Sequence, residues 1–279
     1  MDIMKAPISL IGLPTDINSS HIRGPAKAPA QIRRVLHSGM SNYFSESGID
    51  LSDTALLKDN GDLALEENGG DFERIAEASK QAFQSGSALF LGGDHFVTWP
   101  IVEGLIRANG SAPNIVHIDA HPDLYPDFEA NPSSHASPFA RLLEADRIKS
   151  LTQIGIRTVN KIQKAQIEKY RVSVFSPREI DDALRNLPTG PTYVSIDIDG
   201  LDPAFAPGVS HHEPGGLTVR EVLNVIDALP GPVIGADIVE YNPDRDINDM
   251  TAAVCVKLFK EVAARIALDI EATGAKHAP

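Results

Sequence analysis

The segment NIVHIDAHPD, residues 114–123, decides the reading of the fold. Its first half is short, rich in Ile and Val, and continuous rather than alternating. That is the pattern of a strand buried on both faces of a parallel sheet. Its second half delivers Asp119, His121 and Asp123 directly after the apolar run. Three more segments repeat the arrangement. ALFLGGDH ends on Gly92, Gly93, Asp94 and His95; VSIDIDGLDP presents Asp197, Asp199 and Asp202; ADIVEYNP presents Glu240. Strands are expected at 88–91, 114–118, 192–198 and 233–239, with others at 7–13, 151–156 and 172–175.

Helix-like segments separate these runs. Asp71 is expected to N-cap a helix that stops at Gly86. Thr218 and Glu221 have capping-box spacing ahead of Val222, Val225 and Ile226. A last helix is expected over residues 249–272, where Val254, Leu258, Val262, Ile266 and Ile270 recur every four positions. Such a stripe packs one helix face on a sheet. Strands alternating with helices give an α/β fold with helices on both sheet faces. A chain of this length buries about 75% of the surface its unfolded form exposes. Residues 1–279 are therefore expected to form one domain.

In open parallel sheets, ligands bind beyond the carboxyl ends of the strands. Four polar clusters at four strand ends can therefore converge on one site. Asp119, His121 and Asp123 alternate with Ala120 and Pro122, and Asp197 and Asp199 flank Ile198. At period two, such side chains share one side of an extended segment. Asp119, Asp123, Asp197 and Asp199 supply four negative charges, while His95 and His121 supply neutral nitrogens. Two divalent cations balance that set, whereas a single ion leaves a costly surplus of clustered carboxylates. With no thiolate among the donors, oxygen and imidazole favour a metal such as Mn²⁺. Ligand type alone leaves Co²⁺, Ni²⁺ and Zn²⁺ open.

The net charge of −13 argues against a nucleic-acid partner. It suits a cationic substrate through weak long-range attraction. The one cysteine, Cys255, lies in the apolar stretch AAVCVKLF and is expected to be a buried, inert thiol. No apolar run approaches the ~20 residues that cross a bilayer, so no membrane partner is expected. The N-terminal stretch MDIMKAPISLIGLP has no basic n-region and no long apolar core. A cytosolic location is therefore the expectation.

These residues resemble the ureohydrolases, the family of arginase, agmatinase and their relatives. The resemblance runs from about Leu10 to Ile266 and rests on GGDH, DAHPD, SHASPFARLLE, QIGIRTVN, SIDIDGLDPAFAPG, HEPGGLTVREV and GADIVEYNPDRD. NSSHIRGPAKAPAQIR, SHASPFAR and APGVSHHEPGG are similar to plant-type arginases and their bacterial relatives. The resemblance implies a three-layer α/β/α fold with a mainly parallel sheet of about eight strands, and a homo-oligomer, trimer or hexamer. It implies one Mn²⁺ held by His95, Asp119, Asp123 and Asp197, and a second by Asp119, His121, Asp197 and Asp199. It departs at Phe96, where the family usually has Ser, at Ala136 after His135, where it has Gly, and at Ser210–His212.

The implied reaction is hydrolysis of a guanidino compound to urea and an amine. By the same resemblance, Asp123 shuttles a proton to the leaving amine. Glu240 is expected to pair with the guanidinium, and His135 to exchange protons with bulk water. Arg157 is expected to orient loop carbonyls, and His117 to be a buried, hydrogen-bonded histidine. His211 and His212 are left without an assigned role. L-Arginine is the leading substrate, ahead of agmatine and other guanidino acids. The loop 124–134, LYPDFEANPSS, is expected to meet the substrate's far end. Asn131, Ser133 and Ser134 there suit a carboxylate, while Asp127 and Glu129 suit an amine. A one-zinc deacetylase needs fewer acidic ligands than this chain carries. A catalytically silent assembly subunit would be marked by loss of a ligand or of Glu240, and neither is lost.

Overall fold

The structure, a computed structural model, describes residues 7–275. The first six residues of the N-terminal stretch, and the last four of the expected domain, lie outside them. Eight strands form one sheet: β1 (Ile8–Gly12), β2 (Leu57–Asp62), β3 (Ala88–Leu91), β4 (Asn114–Ile118), β5 (Ser150–Ile154), β6 (Ser173–Phe175), β7 (Thr192–Asp197) and β8 (Val233–Val239). Their order is β2-β1-β3-β8-β7-β4-β5-β6, and every pairing is parallel.

Alternate residues of the strands feed two cores. Leu89, Leu91, Val116, Ile118, Val194 and Ile196 face one side. There they meet α1 (Ala28–Leu36), α7 (Val219–Ala228) and α8 (Met250–Ala275). Ala88, Phe90, Ile115 and Tyr193 face the other, against α2 (Asp71–Ser85), α3 (Thr98–Asn109) and α4 (Pro138–Glu144). Two remaining helices, α5 (Lys161–Tyr170) and α6 (Ile180–Arg185), follow β5 and β6. This is the three-layer α/β/α arrangement, with one apolar core on each sheet face.

The strand absent from the sequence reading is β2. Its sequence, LKDNGD, is exposed along nearly its whole length because it is an edge strand. Polar side chains on both faces erase the apolar signature that marked the central strands, and they also blunt a free sheet edge. Asp71 does not cap α2. It is the first helical residue, and its carboxylate accepts the backbone N–H groups of Glu66 (3.0 Å) and Asn68 (3.1 Å) instead.

Thr218 behaves as expected. Its hydroxyl accepts the Glu221 N–H at 3.1 Å, and the Glu221 carboxylate accepts the Thr218 N–H at 2.7 Å. Thr218→Ala should therefore cost about 1 kcal/mol of stability, with metal content unchanged. Urea denaturation checks this; an unchanged midpoint would show the cap is dispensable. In α8, Leu258, Val262 and Ile266 are fully buried, as is the Cys255 thiol. Among the described residues, no helix is long and apolar enough to cross a membrane.

Candidate metal centre

The sheet order places β3, β8, β7 and β4 side by side. These are the four strands whose carboxyl ends carry His95, Glu240, Asp197 with Asp199, and Asp119 with His121 and Asp123. Gly200 makes the convergence possible. A Cβ there would lie 2.8 Å from the Asp119 nitrogen, so the chain after β7 can press against the end of β4 only without a side chain.

His95 is fully buried, and its Nδ1 faces three carboxylates. Asp123 Oδ2 lies at 3.0 Å, Asp197 Oδ2 at 3.1 Å and Asp119 Oδ2 at 3.3 Å. Yet this nitrogen makes a hydrogen bond to none of them. A second group lies alongside. His121 Nδ1 is 3.2 Å from Asp199 Oδ2 and 3.4 Å from the other oxygen of Asp119. Asp119 therefore belongs to both groups, one oxygen to each. Asp197 turns its Oδ1 to the Asp199 N–H at 2.8 Å.

The electrostatics ask for positive charge at this point. Burial, together with Asp199 and Asp119 nearby, pushes the Asp197 carboxyl well above the usual range. Burial, opposed by His121, raises Asp199 to about 6. Burial works against protonation of His95, but Asp119, Asp123 and Asp197 hold its imidazole well above the ordinary value. Oxygen and imidazole donors crowded at these distances, around a buried nitrogen without a hydrogen bond, fit divalent metal ions.

His117 has a supporting part. Its Nε2 contacts Asp119 Oδ2 at 2.7 Å and its Nδ1 contacts the Gln153 amide at 2.9 Å. Both ring nitrogens are thus engaged by the protein, as expected for a buried, hydrogen-bonded histidine. His95 Nε2 meets Ser195 Oγ at 2.9 Å, and Ser195 donates to Asp237 Oδ1 at 2.6 Å. Sequence reading missed Ser195 and Asp237, since both sit inside apolar strands and look like ordinary core positions.

Glu240 is 4% exposed and adopts φ 63°; Asp123 adopts φ 50°. Non-glycine residues in the left-handed region cost free energy and cluster at functional sites. Glu240 Oε1 accepts the His95 N–H at 2.9 Å and lies 2.8 Å from His135 Nδ1. Burial would raise this carboxyl, but His135 holds it below the usual range, so it stays ionised. Burial likewise opposes a charge on His135, yet Glu240 raises it to about 9. His135 Nε2 meets Ser20 Oγ at 2.8 Å.

Asp123, Asp197, Asp199, His121, His135 and Glu240 all line one cleft of about 430 Å³. Its outer part differs from expectation. Of the loop 124–134, Tyr125 and Phe128 line it; Asn131, Ser133, Ser134, Asp127 and Glu129 do not. Asn131 is turned to Asn18, and Ser134 is buried. Thr158, Val159, Asn160 and Gln163 line it as well, and Asn160 donates to the Tyr125 hydroxyl. His211 also lines the cleft, with its ring centroid 5.8 Å from that of His121 and 5.5 Å from that of His135. His212 points away, to the Pro207 carbonyl at 2.8 Å. Phe96 packs into the core against Phe72 and Trp99.

A model of the arginase family matches residues 6–264. The chain belongs to the arginase family. It is 43% identical to arginase 1, mitochondrial, of Arabidopsis thaliana, over 94% of this chain and 82% of that protein. It is 31% identical to an agmatinase of Bacillus anthracis, over 92% of this chain and 91% of the relative. The solved structure of arginase from Medicago truncatula superposes with a TM-score of 0.89 at 40% identity, covering 94% of this chain and 88% of that one. These names correct the cytosolic expectation. The Arabidopsis thaliana relatives are named mitochondrial, or chloroplastic and mitochondrial. The features of the N-terminal stretch were too weak a basis for a compartment.

Proposed function

We propose that this chain hydrolyses L-arginine to L-ornithine and urea as a binuclear manganese enzyme, in one catalytic domain. The observation that carries the reading is the pair of histidine–carboxylate groups joined through Asp119, with Glu240 on the wall of the same cleft. We assign one Mn²⁺ to His95, Asp119, Asp123 and Asp197, and the other to Asp119, His121, Asp197 and Asp199. When bound, two such ions supply a water nucleophile activated at neutral pH.

The chain's own residues do the rest. Glu240 holds the guanidinium by a charge-assisted hydrogen bond. Asp123 accepts the nucleophile's proton and passes it to the leaving amine. His135 handles a different proton, the one that water gives up on becoming the nucleophile, and exchanges it with solvent through its contact to Ser20. Higher identity to plant arginases than to agmatinase, 43% against 31%, supports arginine. One observation favours agmatine: among the described residues no Lys or Arg lines the cleft, so a substrate carboxylate meets no fixed cation there. The protein is proposed to work as a homo-oligomer, trimer or hexamer.

The test is urea release by Mn²⁺-loaded protein from arginine, agmatine, 4-guanidinobutyrate, 3-guanidinopropionate and guanidine, alongside elemental analysis. Two ions per chain and the highest kcat/KM on arginine are expected. A preference for agmatine would replace the substrate, and a single tightly bound ion without activation by Mn²⁺ would defeat the binuclear reading.

A further inference from the structure

We propose that Glu213 is a positioning residue for His121, and that it sets the affinity of one metal position independently of the other. The inference rests on the two-metal reading above. His121 turns Nδ1 inward, towards Asp199 and Asp119. Its other ring nitrogen, Nε2, lies 3.6 Å from Glu213 Oε1. A metal-ligating histidine is oriented, and made a better donor, by an acceptor on its second nitrogen. Glu213 stands where that acceptor is needed.

Its placement is built into the fold. Arg157 donates to the Glu213 carbonyl from Nε at 2.9 Å and from Nη2 at 2.6 Å. The same Nη2 donates to the Asp199 carbonyl at 2.7 Å, and Nη1 to the Gly200 carbonyl at 3.1 Å. One guanidinium thus fixes Glu213 in register with Asp199, whose side chain also faces His121. Asp202 adds a second staple by accepting the N–H groups of Gly215 (2.6 Å) and Gly216 (3.1 Å).

The His95 position is supported differently. Its outer nitrogen reaches Asp237 through Ser195, and all three residues are fully buried. The Glu213 side chain is 35% exposed and that of His121 is 24% exposed. Solvent screens the outer contact and leaves the imidazole freer to turn.

Titration of metal-free protein with Mn²⁺, followed by the electron paramagnetic resonance of free Mn²⁺, should resolve two binding steps. Glu213→Ala should weaken one step by about 10- to 100-fold and leave the other step and the melting temperature of metal-free protein in place. Glu213→Gln keeps an acceptor but no charge and should fall between. Asp237→Asn should weaken the other step instead. If that buried variant does not fold, the Glu213 pair alone decides. Equal weakening of both steps in Glu213→Ala, or no change in either, overturns the proposal. So does a raised KM for the guanidino substrate with metal binding intact, because Glu213 would then touch substrate. Wild-type protein that binds two Mn²⁺ but releases no urea would refute the proposed function and leave this inference standing.

Discussion

Asp119→Asn is expected to leave both metal positions largely empty at limiting Mn²⁺ and to lower kcat/KM for urea release by about a thousandfold or more. Asp119 turns Oδ2 towards the His95 group and Oδ1 towards the His121 group, so one carboxylate serves both proposed ions. An amide keeps one oxygen and presents N–H donors where the second ion needs a lone pair. It also removes one of the four charges that balance two divalent cations. Losing the cations forfeits several kcal/mol of charge stabilisation, and each ~1.4 kcal/mol is about tenfold in rate. The change is nearly isosteric: the amide oxygen can keep the His117 contact at 2.7 Å or accept the His121 N–H that Asp119 Oδ1 accepts at 2.6 Å, so one hydrogen bond is lost in otherwise unchanged packing. Folding should therefore persist, as circular dichroism would report. Elemental analysis after dialysis is the direct check. A variant with two ions per chain and wild-type turnover would show that Asp119 does not bridge.

The central strands were legible because burial on both faces forces continuous apolar runs. The residues 88–91, 114–118 and 233–239 match β3, β4 and β8 end for end. β2 was not legible, since LKDNGD at a sheet edge needs no apolar face and local pattern cannot see its backbone pairing with β1. The period-two motifs singled out Asp119, His121, Asp123, Asp197 and Asp199, but the extended backbone assumed for them is not what gathers them: β4 ends at Ile118, Asp123 adopts φ 50°, and Asp199 lies in a tight turn over Ile198–Gly200. The groups that brace them were hidden for a different reason. Ser195 and Asp237 meet across adjacent strands, β7 and β8, and the register that pairs them is a property of the sheet. His211 joins His121 and His135 only through the path of a loop, which carries no period to read. The loop 124–134 misled for the same reason. Its polar residues suited a substrate tail by composition, but its turns spend Asn131 on Asn18 and bury Ser134.

Glu240→Gln should lower kcat/KM on the preferred guanidino substrate by about 30- to several-thousand-fold while leaving both metal positions occupied. Water activated by divalent ions serves the hydrolysis of amides and phosphoesters as well as guanidines, so the ions alone do not define the substrate. A carboxylate on the cleft wall does, because it selects a planar cation with paired N–H donors. Glu240 Oε1 is already engaged by the His95 N–H and by His135. Among the described residues, Oε2 has no hydrogen-bond partner, which leaves it for the cleft that Glu240 lines. The left-handed backbone at φ 63° is what turns this side chain from the end of β8 towards the cleft. Glutamine preserves shape and removes charge, so the substrate cation is left unpaired in a site largely shielded from water. That costs about 2–5 kcal/mol, which gives the stated range at about tenfold per 1.4 kcal/mol. His135 also loses the carboxylate that raises it to about 9, so its imidazole should titrate at lower pH in the variant, as nuclear magnetic resonance would show. Unchanged activity on every guanidino substrate would mean that the guanidinium binds elsewhere. Loss of metal from the variant would instead move Glu240 into contact with an ion.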